Sequence, residues 1–223
     1  MHVSAREAVA ELIRARDDGL NVFGETCPQY LFLSTDNLAE PDFEGAKYVC
    51  STPLRPREHQ AALWKGLRTN DLQVVSTDHC PFCFTGQKEL GRGDFSKIPN
   101  AAGRGEPHGP APPGRRRRAH LPPPLDRDRL RHPGPHVRPV PEEGTIAPGA
   151  DADVVIYDPH AEQVMSAQTH HMNVDYSAYE GRRVTGRVET VLSRGEPVIT
   201  EREYTGHAGH GVYTPRSTCQ YLN

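Results

Sequence analysis

The sequence has no apolar run near the roughly 20 residues that cross a bilayer, and its first residues, Met1-His2-Val3-Ser4-Ala5-Arg6-Glu7, lack the apolar stretch of a signal peptide. Neither membrane spanning nor export by such a leader is expected, and a cytoplasmic location is the default expectation. The chain also lacks a surplus of charge of either sign: a net charge of −3 over 223 residues argues against a dedicated nucleic-acid binder. Cysteines are few, odd in number and scattered (Cys27, Cys50, Cys80, Cys83, Cys219), unlike the paired framework of a small secreted protein, so reduced thiols are expected. What remains is 35% hydrophobic residues, enough for an ordinary soluble core in one large domain or two small ones.

Residues 1–100 read as alternating helix and strand. Ser4 and Glu7 have the spacing of a capping box, and Ala8, Val9, Leu12 and Ile13 recur at helical spacing up to Gly19, predicting a helix from about Ala5 to Asp17. A short apolar run, Leu20 to Thr26, a helical stretch near Glu58–Leu67 and a second apolar run, Leu72 to Asp78, complete a strand, helix, strand rhythm. That rhythm implies parallel strands, whose C-terminal ends carry the catalytic groups in an α/β barrel. His2, Glu25 and Asp78 each stand at or near such an end, although no strand precedes His2. Residues 144–200 differ: turn residues lead into the strand Asp153 to Tyr157, and Thr185 to Ile199 reads as two strands joined at a glycine turn. A small β portion is expected there. The tail, 201–223, is rich in Gly, His and Tyr and shows no core pattern.

The stretch between these zones is discordant. From Ala101 to Pro141 the chain carries about half of its prolines, the tetrad Arg115-Arg116-Arg117-Arg118 and almost no apolar periodicity. Three readings stand: a basic nucleic-acid or localisation patch, a solvated linker, and a frame disruption. The last has a test in the genetic code, because Pro, Arg, Gly and Ala are what GC-rich codons yield out of frame. Regrouping degenerate codons by one base lets Gly105 to Ala111 read Glu-Asn-Arg-Met-Asp-Leu, and His132 to Val140 read Thr-Pro-Ala-Arg-Met-Phe-Gly-Leu. Both are sensible protein, which favours a disruption opening after Asn100 and closing near Glu143.

Several residues carry chemistry. Asp78 with His79, closing an apolar strand, is equally a metal-site carboxylate and a strand-to-loop cap with a solvent-facing histidine, and His2 alone is usually a surface residue. A hydrolytic zinc site needs His nitrogen and carboxylate oxygen ligands with one open position for water, and a nearby carboxylate to move the proton. Cys80-Pro81-Phe82-Cys83 has thioredoxin-like spacing, but no second pair matches it, and packed free thiols are expected. His170-His171 read as structural.

The runs Gly24-Glu25-Thr26-Cys27-Pro28-Gln29-Tyr30-Leu31, Tyr48-Val49-Cys50-Ser51-Thr52-Pro53-Leu54-Arg55, Val75-Ser76-Thr77-Asp78-His79-Cys80-Pro81-Phe82 and Gly86 through Asn100 resemble the dihydropyrimidinase/D-hydantoinase family of cyclic amidohydrolases. Gly144 through Tyr157 and Asn173-Val174-Asp175-Tyr176-Ser177-Ala178-Tyr179-Glu180-Gly181 are similar to the family's later part. The resemblance implies an α/β fold: the closing part of a (β/α)8 metal-dependent hydrolase barrel (1–100) plus part of a flanking β-sandwich (144–200), separated by an out-of-frame, disordered 101–143 and followed by the tail 201–223. It implies hydrolysis of the ring amide of dihydropyrimidines or hydantoins, as in 5,6-dihydrouracil to N-carbamoyl-beta-alanine, by zinc-activated hydroxide at a two-zinc site, in a homotetramer with a small cyclic amide or ureide as its only partner. His2 becomes a zinc ligand, Asp78 a zinc ligand and catalytic proton shuttle, and Ser51 and Asn100 substrate-ring contacts. The family's paired His-x-His, carboxylated lysine, further histidine ligand and catalytic tyrosine match nothing in this chain, so an inactive fragment is expected, with Met1 marking a gene model restarted inside a strand. The alternative from another class is a non-enzymatic relative acting in assembly.

Overall fold

The computed structural model describes residues 1–100, 146 and 148–213. The Arg115–Arg118 tetrad, residues 101–143 for which a frame disruption is expected, and the end of the tail lie outside the described residues. Those described fall into two compact units, one of residues 1–100 with Val164–Val184, the other of residues 146, 148–163 and 185–213. The segment 164–184, which the sequence alone groups with the β portion, thus packs with the first unit.

In the first unit, α1 (Arg6–Asp17) forms where the periodicity predicts. The capping box does not. The helix begins one residue later than a Ser4 cap requires, Ala5 is the N-cap without a side-chain bond, and the buried Ser4 hydroxyl instead accepts from Arg55 Nε at 3.2 Å. The C-terminal stop holds: Gly19 takes φ +82°, its N–H bonds to Arg16 O and that of Leu20 to Ala15 O, the paired bonds that close a helix on a left-handed glycine.

The two predicted strands pair in parallel over short spans, β1 (Glu25–Thr26) against β2 (Val74–Val75), with Glu25 opposite Val74 and Thr26 opposite Val75. Leu20 and Phe23 are exposed, so the first half of the predicted strand gains no ladder. On the other side of β1, Val3 N–H donates to Glu25 O at 2.7 Å and Thr26 Oγ1 donates to Val3 O at 2.6 Å. Val3 therefore lies alongside β1, while His2 takes a left-handed φ of +55° and residues 1–4 form no strand, so none precedes His2.

Helices α2 (Pro28–Phe32), α3 (Thr35–Leu38) and α4 (Gln60–Arg68) complete the layer around this ladder. Pro28 opens α2 at a position where a missing N–H costs nothing, and Ser34 with Asn37 makes a true capping box on α3. The core joins Val9, Cys27, Tyr30, Leu31, Leu63, Leu67 and Leu72 with Ala178 and Tyr179. Gly24 is demanded by close approach: a Cβ there would stand 2.7 Å from Leu72 Cδ2 and 2.8 Å from Leu12 Cδ1.

The second unit is a four-stranded sheet in the order β3 (Val154–Val164), β4 (Arg183–Ser193), β5 (Glu196–Thr200), β6 (Glu203–Tyr204). β4 and β5 are antiparallel, as the sequence predicts, with a bulge between Val191 and Leu192. Their two-residue turn, Arg194-Gly195, has φ +51° and +84°, the left-handed pair whose twist matches a hairpin.

Candidate active site

Val3, β1 and β2 together set three side chains at one end. His2 Nε2 lies 3.6 Å from Glu25 Oε1 and 3.7 Å from Asp78 Oδ2, and Cys27 Sγ joins His2 and Glu25 in a group of possible ligand atoms all within 4.8 Å of one another. Asp78 leaves β2 with φ +44°, a left-handed turn. His2 and Glu25 are largely covered, with side-chain exposures of 21% and 19%, while Asp78 at 38% opens to solvent.

Zinc is the ion the resemblance implies, and one atom tests whether these residues suit it. Glu25 Oε1 is buried and accepts no hydrogen bond. A buried carboxylate oxygen without a donor is stabilised by a cation, and an imidazole nitrogen and two carboxylates are the donor types of a hydrolytic zinc. His2 and Glu25 suit one ion, with Cys27 Sγ as the third atom within 4.8 Å, while Asp78 reaches His2 at 3.7 Å without joining that group. Glu25, placed by sequence at a strand end and within a family-like run but given no role there, stands beside His2.

Ser51 and Asn100 are both exposed, on separate loops. Lys88 connects those loops. Its side chain is wholly buried, and Nζ donates to Val49 O at 3.1 Å and to Pro99 O at 2.6 Å, two residues before Ser51 and one before Asn100. Burial pulls the lysine pKa down to about 8. The sequence gives no hint of this link beyond a lysine in a family-like run. Asp175 acts similarly on the loop after β2, its carboxylate accepting from Phe84 N at 2.6 Å and Thr85 N at 3.0 Å.

The cysteines among the described residues are free, as expected, but Cys80 is exposed rather than packed, and Cys83 is half-buried. His170 Nδ1 accepts from Met172 N at 3.1 Å while its Nε2 is buried without a hydrogen-bond partner, and the residue lies in the segment that packs with the first unit rather than in the β portion. No helix among the described residues is long and apolar enough to cross a membrane.

With this geometry in hand, the relatives are informative. No family model matches the chain. It is 74% identical over 233 aligned residues to the D-hydantoinase of Streptomyces coelicolor, covering 100% of this chain and 48% of that protein. Against the D-hydantoinase of Geobacillus stearothermophilus it is 47% identical, covering 97% and 46%. Its backbone superposes on a crystal structure of a D-hydantoinase with a TM-score of 0.83 at 42% identity, over 97% of this chain and 47% of that one. On the dihydropyrimidinase from Brevibacillus agri the TM-score is 0.80 at 42% identity, over 97% and 48%. The chain spans about half the length of the curated relatives it matches. Sequence, mixed α/β backbone and the relatives' names agree, and the chain belongs to the D-hydantoinase family.

Proposed function

We propose that His2, Glu25 and Asp78 are part of the metal centre of a zinc-dependent cyclic amidohydrolase that opens the ring amide of hydantoins or dihydropyrimidines. The observation that carries the reading is the approach of Asp78 Oδ2 to 3.7 Å from His2 Nε2, with the undonated Glu25 Oε1 beside them. A zinc ion bound there supplies a water acid enough to ionise near neutral pH. His2 and Asp78 offer nitrogen and oxygen ligands to it, and Glu25 adds the buried negative charge that a dication requires.

Asp78, open to solvent on one side, accepts the proton of the attacking water and returns it to the departing ring nitrogen, a role for which a carboxylate needs only hydrogen-bond reach. Lys88, by joining the loops of Ser51 and Asn100, sets the spacing of the backbone groups that hold the ring, and so acts as a positioning residue. A barrel with a flanking β-sandwich, a second zinc with a carboxylated lysine, a homotetramer and a cytoplasmic location belong to the same proposal. Retention of both His2 and Asp78 speaks against a purely non-enzymatic assembly role.

The 223-residue chain by itself is proposed to be inactive. The test is a transplant of residues 2–100 into the matching stretch of the Streptomyces coelicolor D-hydantoinase. The chimera should hydrolyse hydantoin or 5,6-dihydrouracil, while the isolated chain with zinc shows no rate above metal-free buffer. An inactive but folded chimera, or an active isolated chain, overturns the proposal.

A further inference from the structure

A second group of ligand atoms lies in the other unit, where neither the family resemblance nor the proposed chemistry uses it. Glu196 opens β5, and His207 and His210 follow β6 in the run His207-Ala208-Gly209-His210. Gly209 takes φ +84°, which folds the run back and brings the two imidazole rings to 5.5 Å between centroids, nearly perpendicular.

Hydrogen bonds at the far side of each ring fix which nitrogen carries the proton. His207 Nδ1 stands 3.1 Å from Ala208 O and His210 Nε2 3.0 Å from Ser193 O. A carbonyl oxygen can only accept, so each of those nitrogens is the N–H. The lone pairs of the neutral rings are then on His207 Nε2 and His210 Nδ1. Both face the same atom, Glu196 Oε2, each at 3.3 Å. With both rings neutral, three lone-pair atoms converge on one point, and their charge is balanced either by a metal dication or by a proton shared across the 3.3 Å contact of His207 Nε2 with Glu196 Oε2.

The spacing says which kind. A tetrahedron built on metal bonds of about 2.0–2.1 Å has edges of about 3.3 Å, the two separations observed. Backbone carbonyls behind both rings are the outer partners that orient ligating histidines and raise their basicity. Arg194, whose guanidinium donates to His210 O at 3.3 Å, pins the backbone of the third ligand. Glu196 and His207 have side-chain exposures of 61% and 67%, so solvent can supply the fourth ligand.

We propose that Glu196, His207 and His210 form a binding site for a zinc-type transition dication, distinct from the centre at His2, which clips the segment after β6 to the start of β5. Imidazole with carboxylate selects zinc or its first-row neighbours over calcium and magnesium, which prefer all-oxygen shells.

The competing occupant is a shared proton, and metal stoichiometry separates the two. The probe is zinc itself, bound at pH 7.5 to the full chain in a His2→Ala, Cys80→Ser, Cys83→Ser background, so that the first centre and the exposed thiols do not contribute. Equilibrium dialysis with elemental analysis should give one tight zinc, and cobalt in its place should show the strong visible bands of a tetrahedral ion. His207→Ala and the isosteric Glu196→Gln, each with an unchanged circular dichroism spectrum, should weaken zinc binding by 10- to 100-fold. Zinc should also raise the melting temperature of the background chain but not of the variants. Equal zinc content in the background chain and in both variants, or no zinc retained by the background chain, overturns the site and leaves the proton as the occupant.

Discussion

The two units bury their apolar residues to very different degrees. Every buried hydrophobic residue among those described belongs to residues 1–100 or to 176–184, and Leu63, Leu72 and Cys27 are fully covered there. In the sheet of the second unit Val155, Ile156, Tyr157 and Tyr204 are exposed. A packed layer can hold a carboxylate dry behind a histidine, as it holds Glu25; an open sheet cannot, and its metal-type ligands are correspondingly wet. Rigid placement for chemistry and a surface clip are what the two environments respectively allow.

The largest effect that would sharpen this contrast is catalytic. In the chimera, Asp78→Asn keeps the size of the side chain but cannot move a proton, and kcat should fall by about 10²–10⁴-fold with little change in KM. A loss below tenfold would return Asp78 to the role of a strand cap. Next comes packing. Leu63→Ala, at 0% exposure, should lower unfolding free energy in urea by about 2–5 kcal/mol, whereas Ile156→Thr on the sheet should stay within about 0.5 kcal/mol. Equal costs would erase the difference between the units.

Lys88 gives an intermediate, pH-dependent effect. Its folded pKa, about 8, lies below that of an unfolded lysine, so between the two the unfolded chain binds more protons and stability rises with pH. Tyr30 and Tyr48, both pushed up to about 12, first of all by burial, hold their protons longer when folded and reverse the trend above the ordinary tyrosine range. Stability should therefore climb by about 2 kcal/mol from pH 8 to 10 and then decline. Lys88→Met should remove the climb and, in the chimera, raise KM by loosening the two loops. A flat profile in the parent chain would contradict the burial of the ammonium.

The smallest effect belongs to the second unit. The turn between β5 and β6 places Glu201 and Arg202 at φ +49° and +74°, where glycine and asparagine are favoured. Glu201→Asn with Arg202→Gly should stabilise that hairpin by about 1 kcal/mol, read as slower exchange of the Thr205 amide, which donates to Val198 O at 3.0 Å. An unchanged exchange rate would show that the turn is not strained.

Local signals carried much of the fold and little of the cross-chain geometry. Helix α1 and its Gly19 stop are written in nearest-neighbour chemistry, so they are legible; so is the Arg194-Gly195 hairpin. The Ser4–Glu7 pair has the right spacing for a cap, yet Arg55, far along the chain, competes for the Ser4 hydroxyl and wins. The bond of Val3 to Glu25 beside β1 is a cross-chain contact, which no periodicity in the first residues reveals. Asp78 and His2 stood out through family-like motifs, whereas Glu25 gains its role from burial, a property of the assembled layer. The same holds for Lys88, whose two acceptors are 39 and 11 positions away. His207 and His210 had a readable His-x-x-His spacing, but the third ligand, Glu196, is supplied across a hairpin.

The central claim is that His2 and Asp78 bind one ion together. Crystals of the chimera soaked in zinc, measured at the zinc absorption edge, test it most directly. The account predicts an anomalous peak about 2.0–2.2 Å from both His2 Nε2 and an Asp78 carboxylate oxygen. Well-ordered side chains with no peak between them, and His2 hydrogen-bonded directly to Glu25 or Asp78, would contradict it.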